Sequence, residues 1–268
     1  MEEAVETVRK KKRSWRVRWS LRVLFVLIAL MAGGLGWLSY YMRIGYLHDD
    51  VAANVAELGG RVTWELTRVI PPKVNALPNN NSQIFVGFTP PLKKVKGGPD
   101  WMQTWGVEPA YQRIEYVHFN QGSAEDLNRF LQQIERLDRV AGVHINTSPL
   151  TDEQLEHLFD HVEMEALGIG GTPIGERPLP FLSDTKLKYL FCDKTFVSDS
   201  FLDCLPVTLE HLMIPNTRVT DAGLEKLVRL KNLQLLVLRD TPTSEEAIEK
   251  LRDKMPWCEI EWSPQFRP

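Results

Sequence analysis

Residues 209–227 read LEHLMIPNTRVTDAGLEKL, and this stretch decides the fold. Its form is L-x-x-L-x-L-x-x-T-x-V-T-D-x-G-L-x-x-L, with Ile214 in the third apolar place, and weaker copies precede and follow it. Aligned on the middle apolar residue of each copy, Val117, Val143, Leu167, Leu190, Leu212 and Leu236 fall in register, at spacings of 26, 24, 23, 22 and 24 residues. A near-constant period in this range is the sequence signature of a leucine-rich solenoid. A seventh, terminal strand is expected at residues 258–262.

Each unit opens with alternating apolar residues, such as Leu190 and Cys192, Leu212 and Ile214, or Leu236 and Leu238. That alternation suits a strand with one buried face. A turn and a helix start follow. Thr151-Asp152, Ser198-Asp199 and Thr220-Asp221 offer side-chain oxygens to free helix amides, and Thr151–Gln154 and Thr243–Glu246 have capping-box spacing. Leu155 and Leu158, Leu202 and Leu205, Leu224 and Leu227, and Ile248 and Leu251 then face back onto the strands at helical spacing. A second column, Ser148, Thr172, Thr195, Thr217 and Thr241, reads as hydroxyls bonding the turn backbone. In the third unit 174-IGERP-178 replaces V-T-D-x-G, so its helix should be short or absent. No unit can bury its apolar face alone, and stacking on neighbours supplies the burial. The expected fold class is therefore α/β: a solenoid of about six to seven short units, with parallel strands and outer helices.

On these residues the chain resembles leucine-rich-repeat proteins carrying the V-T-D-x-G-L repeat. More narrowly it is similar to the short membrane-anchored versions of planctomycete-type bacteria. The matching parts are 20-SLR-22, 53-ANVAELGGRV-62 and 99-PDWMQTWGVEPAY-111, in that order before the repeats. The resemblance implies an extracytoplasmic interaction surface and no known reaction.

The N-terminus points to a membrane. Residues 1–22 carry eight Lys/Arg and three Glu, a net of +5, which leaves −8 on the remainder. Residues 23–41 contain neither a charge nor a proline, long enough for a helix across a bilayer. Trp19, Trp37, Tyr40 and Tyr41 stand where interfacial aromatics belong. The positive charge precedes the span, so a basic tail (1–22) is expected in the cytoplasm, a transmembrane helix at 23–42, and the repeats outside the inner membrane. Cleavage near Ala32-Gly33-Gly34 is the alternative, but the apolar run continues past it. Ala29/Gly33 and Ala32/Gly36 have the spacing that lets two anchors pack as a homodimer.

After the span, residues 43–70 read as a juxtamembrane helix capped by Asp49 or Asp50, bearing Val51, Val55 and Leu58 on one face. Gly59-Gly60 ends it, and a strand with Val62, Trp64 and Leu66 follows. Residues 71–99, rich in Pro, Asn and Gly, read as a loop with a strand at 84–88. Residues 100–268 hold the repeats. They begin with a capping helix bearing Trp101, Met102 and Trp105, and Trp257, Ile260 and Trp262 are expected to close the far end.

Candidate chemistry is sparse. There is no G-x-S-x-G, P-loop, dinucleotide fingerprint or C-x-x-C pair, so no cofactor or metal is expected. The acidic remainder argues against nucleic acid. Cys192 and Cys204 could pair outside the cytoplasm, or all three cysteines, with Cys258, could serve as small apolar residues. His118 and His144 occupy one repeat position on adjacent strands, and His157 and His161 are spaced i, i+4. Either pair could begin a metal site but lacks a third ligand, so both read by default as solvent-facing. The inner, concave face is the remaining candidate. It carries Tyr116, His118, His144, Tyr189, Phe191, His211, Met213, Leu235 and Val237, aromatic and apolar towards its C-terminal half. Exposed apolar area of this kind marks a binding site, unless the loop at 70–98 folds over it. The expectation is a non-enzymatic recognition or scaffold module for a protein partner, touched first by Tyr189, Phe191, His211 and Met213. The alternatives are a metal-dependent enzyme using His118 and His144, or an envelope protein oligomerising through its anchor.

Overall fold

The structure is a computed structural model that describes residues 21–64 and 113–265. The expected loop (71–99), the strand at 84–88, the capping helix with Trp101, Met102 and Trp105, Leu66, and most of the basic tail with Trp19 lie outside the described residues.

Among the described residues the chain forms one N-terminal apolar helix, α1 (Leu21–Glu57), and an open sheet of eight mostly parallel strands. The strands are β1 (Arg61–Trp64), β2 (Ile114–Asn120), β3 (Gly142–Asn146), β4 (Ala166–Gly168), β5 (Tyr189–Phe191), β6 (His211–Met213), β7 (Leu235–Thr241) and β8 (Glu259–Pro264). Their spatial order is their sequence order. Only β1 runs antiparallel to its neighbour β2. The apolar positions aligned from sequence pair directly: Val117 with Val143, then Leu167, Leu190, Leu212, Leu236 and finally Ile260. The first six are fully buried and Ile260 nearly so. Period-two alternation turns these residues towards the outer helices and turns their neighbours to the other face.

The outer elements follow from local chemistry. Ser123 caps α2 (Ala124–Ile134) in a reciprocal box with Asp126, and Thr151 caps α3 (Asp152–His161) in one with Gln154, as its spacing predicts. Thr220 caps α4 (Asp221–Leu227). Ser244, not Thr243, caps α5 (Glu245–Lys254): Thr243 is buried, and its hydroxyl accepts the Trp262 indole N–H at 2.9 Å. The third unit has only a 3-10 helix, Pro180–Asp184, in line with its missing V-T-D-x-G. The fourth also has only a 3-10 turn, Phe201–Cys204, where an α-helix was expected from Ser198-Asp199. The cause is Pro206, which forces Leu205 into extended backbone and ends the helix there.

Asp199 accepts the backbone N–H of Thr220 at 2.8 Å and its hydroxyl at 2.6 Å, one unit further on. Asp221 does the same for Ser244, at 2.7 Å to both N–H and Oγ. The aspartate of the repeat thus bonds the next unit's cap. A Cβ on Gly223 would meet the Asp199 carboxylate and come within 3.0 Å of Leu202, which accounts for the glycine two residues after Asp221. The hydroxyl column is local. Thr172, Thr195, Thr217 and Thr241 each donate to a carbonyl three residues back, at 2.7–3.0 Å, and Ser148 donates two residues back.

Between the strand and that hydroxyl the backbone turns through the left-handed region. Gln121, Thr147, Gly171, Lys194, Asn216 and Asp240 all have φ between 51° and 67°. Five of the six N–H groups donate to a carbonyl of the next unit: Gln121 to Asn146, Thr147 to Gly170, Gly171 to Asp193, Lys194 to Pro215 and Asn216 to Arg239.

α1 differs from expectation. A separate helix capped by Asp49 or Asp50 is not formed, because the helix runs unbroken through both. Gly45, His48, Val51 and Val55 form one buried stripe at spacings of three and four, and that stripe carries the helix on into the core. At the other end of the sheet Trp262 is half-buried, but Trp257 is 41% exposed, with the Lys231 ammonium 4.4 Å above its ring. Trp257 therefore does not close that end as expected.

Candidate functional site

The face turned away from the helices presents two columns of side chains. One runs Tyr116, Gly142, Ala166, Tyr189, His211, Leu235 and Glu259; the other runs His118, His144, Gly168, Phe191, Met213, Val237 and Glu261. All seven residues expected at a contact surface, Tyr116, His118, His144, Tyr189, Phe191, His211 and Met213, stand on this face. They are not equally exposed.

The N-terminal half is filled. Gly142, Ala166 and Gly168 leave a hollow, and rings lie down in it. A Cβ at Gly142 would meet the Tyr116 ring, and one at Gly168 would meet His144 Nδ1. His118 stacks on His144 with centroids 4.8 Å apart and planes within 10°. Phe191 closes from the other side, 5.8 Å from His144. His144 is only 4% exposed and Phe191 only 9%, so both expectations are corrected: His144 is not solvent-facing and Phe191 is not an open contact residue. Val237, further along, is buried as well, at 2%. The sequence signal for this was present, since glycine recurs at inward-facing strand positions beside large rings.

Burial sets the electrostatics. His144 is pushed down to about 3, first by burial and then by the neighbouring His118, so its imidazole is neutral. Its Nδ1 is buried and has no hydrogen-bond partner among the described residues. His118 is also held low, by burial and then Arg61. Burial raises Tyr116 to about 12. The two imidazoles lie in nearly parallel planes. Their in-plane lone pairs do not converge on one point between them, and no group of three or more His, Cys, Asp or Glu suited to a metal occurs among the described residues.

Further along the sheet a strip stays half-exposed, as Tyr116 and His118 do at the first strand of the parallel run. Tyr189, His211, Met213 and Leu235 are each half-exposed and adjacent in register. Tyr189 meets His211 edge-on at 5.0 Å, and its hydroxyl donates to Glu210 at 3.3 Å. The strip ends at the Arg239–Glu261 ion pair, 2.6 Å across β7 and β8. Glu210, Arg239 and Glu261 were not singled out from sequence, because their positions read as ordinary charged surface.

The remaining candidates fall elsewhere. His157 and His161 stack on the exposed side of α3. His157 Nδ1 lies 2.9 Å from Glu135, and His161 Nδ1 lies 2.8 Å from the His157 carbonyl. Cys192, Cys204 and Cys258 are free and buried, so the Cys192–Cys204 bridge is not formed, and burial pushes the Cys192 thiol well up. It packs as an apolar side chain. Asn120 and Asn146 bond each other at 3.0 Å.

Comparison with protein-family models gave no match for this chain, and comparison with curated proteins gave none. Fold and site together define an α/β protein with one N-terminal helix long and apolar enough to cross a membrane or act as a signal anchor.

Proposed function

We propose that the chain is a single-pass inner-membrane protein whose sheet is a leucine-rich-repeat solenoid outside the cytoplasm, acting as a non-enzymatic recognition or scaffold module. The observation that carries this reading is the half-exposed strip of Tyr189, His211, Met213 and Leu235 on the inner face. Aromatic and sulfur-bearing side chains are enriched where proteins meet, and this strip offers contact area rather than reactive groups. The one-unit register of the strand cores supports the solenoid, and the basic tail ahead of the apolar helix supports a cytoplasmic N-terminus. A metal enzyme built on His118 and His144 is disfavoured by their parallel stacking.

The test is site-specific photo-crosslinking in native membranes. A crosslinker in place of Met213 or His211 should yield one discrete adduct, and one in place of Glu245 on α5 should not. Met213→Glu should abolish the adduct formed from position 211 while shifting the melting temperature by no more than a few degrees. Phe191 is unsuitable for such a test, because truncating a buried ring destabilises the fold itself. Failure of both inner-face positions to crosslink would overturn the recognition reading.

A further inference from the structure

We infer that the N-terminal end of the folded region is seated in the lipid headgroup layer, without an intervening linker, with Arg43 directed to lipid phosphate. The inference rests on the reading of α1 as a membrane anchor and adds to it where the fold begins relative to the bilayer. Leu21, Val23 to Met31, Leu35, Trp37 and Tyr40 are the exposed apolar part of α1. Trp37 and Tyr40 are exposed, and Tyr41 packs on both, with centroids 4.6 Å and 5.5 Å away. Such an aromatic cluster belongs at the boundary between hydrocarbon and headgroups. Gly45, four residues further on, is already buried in the fold. At about 1.5 Å per residue it lies roughly 6 Å beyond Tyr41. The headgroup region of one leaflet is itself only about 5–7 Å deep.

No pivot separates the two parts. The helix is continuous from Leu21 to Glu57. Past Gly45 it is locked on three sides: His48 Nδ1 accepts the Ile114 N–H at 3.0 Å, Asp50 pairs with Arg136 at 2.7 Å, and Asn54 donates to Gln133 at 3.0 Å. The tilt of the anchor therefore fixes the attitude of the sheet. Arg43 is exposed two residues past the aromatic cluster, and the Arg113 guanidinium lies 5.6 Å over the Tyr41 ring at the same level. A planar guanidinium matches the phosphodiester of a lipid headgroup.

The experiment uses the full chain reconstituted in vesicles of equal parts phosphatidylcholine and phosphatidylglycerol containing a nickel-chelating lipid. A nitroxide on Tyr46→Cys should relax several-fold faster than one on Lys250→Cys in α5. A flexible Gly-Ser linker inserted after Tyr41 should remove that difference, and Arg43→Glu should reduce it. Equal relaxation at both positions, in protein that resists alkaline extraction, overturns the seated arrangement and leaves the anchor intact. An unchanged rate in Arg43→Glu overturns the phosphate contact. Release of the protein at alkaline pH overturns the anchor reading, and the seating with it.

Discussion

Thr147 holds φ at 51° although it is β-branched and exposed. A β-branched residue in the left-handed region is crowded against its own carbonyl, at a cost of about 1 kcal/mol or more. The same conformation recurs at five other corners, so the strain belongs to the architecture and does not mark a reactive site. Thr147→Asn should therefore stabilise the protein by about 0.5–1 kcal/mol, read as a melting temperature higher by a few degrees. An unchanged or lower value would mean that the Thr147 side chain contributes more than the corner costs. His144 sets a pH limit. It is neutral in the fold, with its pKa lowered from 6.5 to about 3, so the unfolded chain takes up its proton first. Its share of stability is intact above about pH 6.5, is lost as pH falls through that value, and stops falling near pH 3. The loss is on the order of a few kcal/mol. In urea titrations between pH 7 and pH 4, His144→Phe should be more stable than the parent at the acid end and within about 1.5 kcal/mol of it at pH 7. Parallel curves for the two proteins would place the acid sensitivity elsewhere. The burial that causes it shows in the sequence only as the glycine at the facing position of the next strand, and only once the register is known. His144 occupies a strand position that alternation turns away from the helices, and only the space left by Gly168 on the next strand lets the ring lie flat.

At the level of elements, the coupling runs from the start of one unit's outer helix to the start of the next. Asp199 and Thr220, and Asp221 and Ser244, are the two links of this kind among the described residues. Asp199→Ala should cost about 1–2 kcal/mol, whereas Asp160→Ala, on an exposed turn of α3, should stay within about 0.5 kcal/mol. Gly223→Ala should also destabilise, since the new methyl meets the Asp199 carboxylate. The double variant should then lose less than the two singles together, because removing the Asp199 carboxylate makes the room that the added methyl needs. Additive losses in denaturant titrations would show that the two residues do not share that contact. Much of this layer could be read in advance. Leucines at strand cores and hydroxyl residues at caps announce themselves, because each answers to its own local period or amide. Three things could not. The recipient of Asp199 sits twenty-one residues away, so no local pattern names it. Ser244 outranks Thr243 as a cap only because Thr243 is drawn inward by Trp262. And α1 passes through Asp49 and Asp50 because its buried stripe outweighs any capping preference there.

At the scale of the molecule, each strand among the described residues pairs with the described strands before and after it in sequence. Stability should then depend on position. Leu212→Ala, in the middle of the sheet, should cost about 2–5 kcal/mol and speed hydrogen exchange in β5, β6 and β7 together. Ile260→Ala, in the last strand, should speed exchange in α5 and β8 and leave β2 to β5 close to the parent. Uniform acceleration in both variants, measured by hydrogen exchange and mass spectrometry, would mean that the sheet opens as one cooperative block. The left-handed corners add something to this picture. From Gln121 to Asn216, each corner amide reaches the equivalent carbonyl of the following turn, so a segment bounded by two such corners carries a complete set of connections. Copying or excising such a segment, residues 195–216 for instance, leaves each donor facing an acceptor of the right kind. Single residues are gained or lost in the outer arc instead, since successive corners stand 26, 24, 23, 22 and 24 residues apart and yet keep that bond. Lineages of such a chain would change length by whole units or within that outer arc, much as a pleated cloth is lengthened by the fold while the depth of each fold stays free.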